Sequence, residues 1–188
     1  MFPYVDQLNF IIALGAVTGL VILFVAILAS LVQRKRFPSL VLGKEGKRRV
    51  YLLYLAYFLA LVGTVMSLVY SEVFGFVPCG LCWIQRVFLY PQIIILGIAA
   101  YKRDFSVADT VIVLSALGAL FAVDQYLLQM NAPVATVCFA SSVESCADPV
   151  ISEFGFVTFP LVSLTLFLWQ IALMVGMKMR ATMPAISR

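Results

Sequence analysis

Three stretches of this chain run for more than twenty positions without a charged residue: 7–33, 50–71 and 154–177. About 20 mostly apolar residues carry a helix across a hydrocarbon core of about 30 Å, so each stretch is long enough to span a membrane. Length of this kind leaves little choice of fold. In lipid the backbone must satisfy its own hydrogen bonds, and a helix does so within a single segment. Composition agrees, because 63% hydrophobic residues, 12% charged residues and a mean hydropathy of +1.06 lie outside the range of soluble domains.

Two further spans are interrupted by charge. Only 15 uncharged residues separate Arg86 from Lys102, so a spanning helix has to begin near Gly80 and take Cys82 and Arg86 into its first turns. Only 14 separate Asp109 from Asp124, and this span is expected to run from about 105 to about 128 with an aspartate near each end. The expectation is an all-α membrane protein of five spans.

Lys and Arg accumulate in short cytoplasmic loops. Twelve of the thirteen basic residues fall in 34–49, in 101–104 and after the last span, all on one side of a five-span chain. The amino terminus is therefore expected outside and the carboxyl terminus in the cytoplasm, with Asp6, Glu144, Asp148, Glu153 and all four cysteines on the outer face. The first span has no basic region before it and is too long for a signal-peptide core, so it reads as a retained helix. The bias also accounts for the net charge of +4, which therefore implies no nucleic-acid partner. The thirteenth basic residue is Arg86.

The cysteines form two pairs. Cys79 and Cys82 lie in "FVPCGLCWIQR" (76–86), between spans two and three, and Cys138 and Cys146 lie in the loop before the last span. In an oxidising compartment two structural disulfides are one reading. The neighbouring residues support another. Pro78 suits a helix start, which puts Cys79 and Cys82 at a helix amino terminus, where unpaired N–H groups and the macrodipole favour thiolate. Arg86, four residues beyond Cys82, falls on the same helix face. An arginine within the apolar layer is costly unless it snorkels to the interface or meets a partner. It either anchors the helix at the interface or, with Gln85 and nearby aromatic rings, stabilises Cys82 and the negative charge of an electron acceptor. A CxxC that oxidises another dithiol turns over only by passing two electrons onward, and at membrane depth the sink is a lipid-soluble quinone.

Cys138 and Cys146 sit in an Ala-, Ser- and Val-rich loop between Pro133 and Pro149 that reads either as a mobile exchange arm or as a simple staple. A zinc site is disfavoured by the absence of a second CxxC spacing, so no metal is expected. No histidine is present, which excludes Ser-His and Cys-His catalysis, and no phosphate-binding glycine motif is found. Phe74, Phe76, Trp83, Phe88 and Tyr90 read as an interfacial belt or a quinone lining. Pro91 is expected to kink its helix, and Glu72 and Asp124 are candidates for proton exchange or for interfacial solvation.

"PCGLCWIQRVFLYP" at 78–91, "LGIA" at 96–99 and "FGFVTFP" at 154–160 resemble the DsbB family of quinone-dependent, disulfide-forming membrane oxidoreductases, most closely its BdbC-like branch. The resemblance covers roughly 50–177. It implies a four-helix transmembrane bundle there, an additional amino-terminal helix with a basic cytoplasmic loop in 1–49, and a basic tail in 178–188. It further implies a bacterial cytoplasmic-membrane enzyme with ubiquinone or menaquinone as cofactor. By it, Cys79 and Cys82 are the quinone-coupled pair, Cys82 lies nearest the quinone with Arg86 as electrostatic partner, and Cys138 and Cys146 take electrons from a DsbA-like thioredoxin-fold thiol oxidase. Two positions depart from the pattern: Gln85 stands where some members have glutamate, and Asp124-Gln125 where a histidine is expected. The alternatives are a vitamin K epoxide reductase-like protein, in which the loop pair precedes the CxxC, and a non-enzymatic membrane scaffold braced by disulfides.

Overall fold

Five long helices make up the computed structural model, which describes residues 3–33, 45–130, 146–147 and 153–178. They are α1 (Pro3–Gln33), α2 (Glu45–Leu68, prolonged by a π-helical turn at Val69–Val73), α3 (Gly80–Lys102), α4 (Ala108–Gln129) and α5 (Phe159–Lys178). All five are long and apolar enough to cross a membrane, and no strand is found among the described residues. The all-helical architecture expected from the uncharged runs is therefore observed.

Helices α2 to α5 close a ring in which α2 meets α3, α3 meets α4, α4 meets α5 and α5 returns to α2, while α1 packs outside the ring against α5. Lipid supplies no hydrophobic drive between helices, so close approach depends on small residues and internal polar bonds. Gly118 of α4 lies so near α5 that a Cβ there would run into the Phe167 ring, and one at Gly63 of α2 would meet Leu166. Buried amides supply the polar bonds. Gln170 Nε2 donates to Ala56 O at 2.9 Å, and Ser115 Oγ donates to Gln92 Oε1 at 3.3 Å. Leu53, Ala56, Ala60, Leu96, Ala99, Val111 and Met174 fill the ring towards the other end. There Lys178 pairs with Asp109 and Arg49 sits 4.8 Å over the Phe105 ring. Phe24, Ile94 and Leu120 point outward as a lipid-facing surface would have them.

Helices α1 and α2 begin ahead of their uncharged runs, at Pro3 and Glu45, α4 runs 108–129 against the expected 105–128, and two further differences have a local cause. The run of the fifth span begins at 154, but α5 begins at Phe159 because Phe154 and Gly155 take positive φ (54° and 75°) in a turn bridged between Glu153 and Val157. Thr158 O then accepts the N–H groups of Leu161 and Val162, and Pro160 falls in the first turn, where its missing N–H costs nothing. The second run ends at 71, whereas the helical chain continues to Val73 by widening into the π-turn, with Phe74 N bonded to Val69 O. Helix α4 keeps Asp109 and Asp124 near its ends as expected, and α3 is continuous through Pro91.

Candidate functional site

After the π-turn the chain reverses at Gly75, whose φ of 74° suits a residue without Cβ, and Phe76 N returns to Tyr70 O at 3.1 Å. Pro78 then leads in extended form to Cys79, the N-cap of α3 (φ −69°, ψ 170°). This places Cys82 at the third helical position, among the amide groups that no preceding turn can satisfy. Both thiols are free, with their sulfurs 2.9 Å apart. Cys79 is buried and Cys82 half-buried.

A glutamine from α4 holds the pair. Gln125 Nε2 donates to Cys79 Sγ at 3.2 Å and to Cys82 Sγ at 3.3 Å, while its Oε1 accepts Gln85 Nε2 at 2.7 Å. Gln85 thus orients Gln125 and Gln125 orients both sulfurs. The two amides are buried. Sequence reasoning selected Gln85 but saw in Gln125 only the lack of a histidine. The available signal was an amide inside an apolar span, a costly placement unless it has a partner.

Arg86 is only 8% exposed. Its Nη2 donates to Ser67 O at 2.9 Å and its guanidinium carbon stands 5.2 Å from the Trp83 ring centre. Among the described residues no carboxylate forms a salt bridge with it. The side chain is therefore turned into the protein, not outward to the interface. It borders a cavity of about 680 Å³ whose wall also includes Cys79, Cys82, Gln85, Ser67 and Gln125 at one end and aliphatic side chains of α2 and α5 beyond. Of the five aromatic residues singled out from the sequence, Phe76 lines this space. Phe88 stacks on Phe121 instead, and Trp83 is largely exposed. Glu72 is exposed and bonded to Ser71, and neither it nor Asp124 borders the cavity.

Cys146 is disulfide-bonded, 2% exposed, and packed in one cluster with Cys79 and Leu81, against which Cys82 also lies. Gln129 Nε2 reaches its carbonyl at 3.5 Å. The second cysteine pair is thus represented beside the first. Cys138 and most of the loop carrying it lie outside the described residues.

Two free thiols on a helix cap, a disulfide cysteine packed against them and a helical membrane-spanning body define a membrane thiol oxidoreductase. Comparison with known proteins gives the family: residues 47–179 match the model described as disulfide bond formation protein DsbB, and the chain belongs to that family. It is 35% identical over 127 residues to the "Probable disulfide formation protein C 1" of Bacillus anthracis, covering 68% of this chain and 91% of the relative. It is also 35% identical over 132 residues to "Disulfide bond formation protein C" of Bacillus subtilis, covering 70% and 96%. The "SPbeta prophage-derived disulfide bond formation protein B" of B. subtilis is 42% identical over 113 residues, covering 60% and 76%. No solved structure matches the chain. The protein is accordingly a multi-pass membrane oxidoreductase of disulfide-bond formation.

Proposed function

We propose that the protein reoxidises an extracytoplasmic thioredoxin-fold dithiol oxidase of the DsbA kind and delivers the electron pair to a membrane quinone. The observation that carries this reading is the free Cys79–Cys82 pair opening onto an apolar cavity that also holds the Arg86 guanidinium. The cavity fits such an acceptor, with largely apolar, aliphatic and aromatic walls for an apolar body and Arg86, Gln85 and the Cys82 sulfur for a polar head. When bound, a quinone supplies a sink for two electrons and two protons and leaves as the quinol.

The chain's own residues perform the rest. A partner thiolate attacks the disulfide formed by Cys138 and Cys146, and the partner's second thiol displaces it, so that the partner leaves oxidised and the loop pair is left as two thiols. One of these attacks the oxidised Cys79–Cys82 disulfide in the same way, and the electron pair now resides on Cys79 and Cys82. The presence of Cys146 in one buried cluster with Cys79 and Leu81 supports this transfer, since exchange needs sulfurs within reach. Gln125, oriented by Gln85, fixes the two sulfurs, and Arg86 balances negative charge developing in the cavity. The distribution of basic residues supports an amino terminus outside, a cytoplasmic carboxyl terminus and outward-facing cysteines in a bacterial cytoplasmic membrane. Residues 50–177 form the catalytic bundle in this reading, 1–49 an added helix with its basic loop, and 178–188 a basic tail.

The relay is tested with purified protein, added quinone and two reductants. Cys146→Ser is expected to stop oxidation of a reduced thioredoxin-fold protein while a small dithiol, which reaches Cys79 and Cys82 directly, is still oxidised. Wild-type rates towards the protein dithiol in that variant would reduce the loop pair to a staple.

A further inference from the structure

Helix α1 lies outside the residues that match the family, yet the cavity is incomplete without it. Ile12, Gly15, Gly19 and Ile22 of α1 form one wall, facing α2 and α5. Two polar contacts dock the helix. At one level the Tyr70 hydroxyl donates to Asn9 Oδ1 at 2.5 Å, both residues being buried, and deeper the Trp169 Nε1 donates to Gly19 O at 3.2 Å. Gly19 eases that approach, because a Cβ there would stand 3.3 Å from Trp169 Nε1 and 3.4 Å from Thr165 Cγ2, so that both side chains would have to shift by a few tenths of an ångström. Gly15 differs: it borders the cavity on its open side, where Gly15 and Ile22 are exposed, and a Cβ on it would meet nothing within 4 Å.

We propose that α1 is the wall of a channel for the hydrocarbon tail of the electron acceptor, with Gly15 keeping that channel open. The proposal rests on the quinone reading above and adds the part of the acceptor that α1 recognises. Depth supports it. The Asn9–Tyr70 bond aligns the two helices, and Arg86 holds Ser67, three residues or about 4.5 Å deeper than Tyr70 at 1.5 Å per residue. Gly15 lies about 9 Å deeper than Asn9, and so below the polar end of the cavity. From Ser67 to Leu55 the α2 wall runs inward for about 18 Å and is apolar, with Met66, Val62 and Leu59 between. A channel of that length and polarity suits a polyisoprenoid chain, whereas a ring alone needs only the end beside Cys82 and Arg86.

The test uses full-length protein and two quinones with the same ring, one with a long isoprenoid tail and one without. Gly15→Phe projects a ring into the open space of the cavity without striking a neighbour, and Leu14→Phe places the same ring on a neighbouring exposed position of α1 that does not border the cavity. Gly15→Phe is expected to raise the KM for the long-tailed quinone by about tenfold. It should leave the KM for the tailless one, and the single-turnover oxidation of a dithiol without added quinone, close to wild type. Leu14→Phe is expected to change neither. If wild-type protein reduces both quinones but Gly15→Phe behaves as Leu14→Phe does, the role of α1 is overturned and the quinone reading stands. If wild-type protein reduces neither quinone, the quinone reading itself falls and this proposal with it. Should Gly15→Phe fail the single-turnover control, a long-tailed quinone carrying a diazirine on its tail decides the matter in unmodified protein. Labelling of α1 around Gly15 supports the channel, and labelling confined to α2–α5 overturns it.

Discussion

Replacing Gln125 by leucine removes two donors from the Cys79 and Cys82 sulfurs while keeping a side chain of similar size at the α3–α4 contact. In the reduced protein these donors reach Cys79 and Cys82 at 3.2 Å and 3.3 Å. A hydrogen bond contributes about 0.5–1.5 kcal/mol net, so the reduced pair loses about 1–3 kcal/mol. Disulfide sulfur is a poor acceptor, so the oxidised pair loses less. The sign follows: the reduced state is destabilised relative to the oxidised one, and the pair becomes a weaker oxidant. With about 30 mV per 1.4 kcal/mol for a two-electron couple, its reduction potential should fall by about 20–60 mV. Gln85 Nε2 also loses its acceptor in a buried site, a cost of about 1–3 kcal/mol that lowers Tm. That cost falls on both redox states and largely cancels from the potential. The assay is equilibration against dithiothreitol or glutathione buffers without quinone, read by alkylation of free thiols, in a Cys138→Ser, Cys146→Ser background that isolates the pair. A potential unchanged within about 10 mV, or raised, would refute the assignment of Gln125 as the group that positions and stabilises the reduced sulfurs.

Three further outcomes are expected. Arg86→Lys should insert normally yet need more quinone for the same rate, and Arg86→Leu should lose more, because an ammonium cannot reproduce the planar fork of donors. A quinone titration beside a quinone-free single turnover checks this, and unchanged quinone dependence in both variants would leave Arg86 a structural anchor to Ser67. Gly118→Ala should cost about 1–3 kcal/mol by driving a methyl into the Phe167 ring between α4 and α5, seen as a lower Tm in detergent with the Cys79–Cys82 potential unaltered. A membrane-impermeant maleimide applied to intact cells after mild reduction should label Cys138 and Cys146, and labelling only after lysis would reverse the proposed orientation.

Much of the site was legible in the sequence because its signals are local. The CxxC spacing, Pro78 before it and Arg86 four residues after it fix a helix cap and a helix face without reference to other segments, and α3 does begin at Gly80. The three uncharged runs, with the two stretches that charge interrupts, likewise fix helix number. What escaped depends on which helices become neighbours. Gln125 lies 40 residues from Gln85 and 46 from Cys79, and only the α3–α4 contact shows that one amide serves both sulfurs. Asn9 and Tyr70 are 61 residues apart, and nothing local marks them as the joint that seats α1. Absence of charge located the fifth span but could not register the turn at 154–155, since positive φ changes no hydropathy.

In the proposed relay, electrons from an outer-face dithiol leave through Cys79 and Cys82 to a quinone in the cavity beside Arg86. Anaerobic turnover of purified protein with a reduced thioredoxin-fold partner and limiting quinone tests it most directly, with partner disulfide and quinol counted together. One quinol is expected for each partner disulfide, with no steady turnover of either in Cys79→Ala or Cys82→Ala protein. Partner disulfide formed repeatedly without quinol, or quinol formation that survives loss of Cys82, would contradict it.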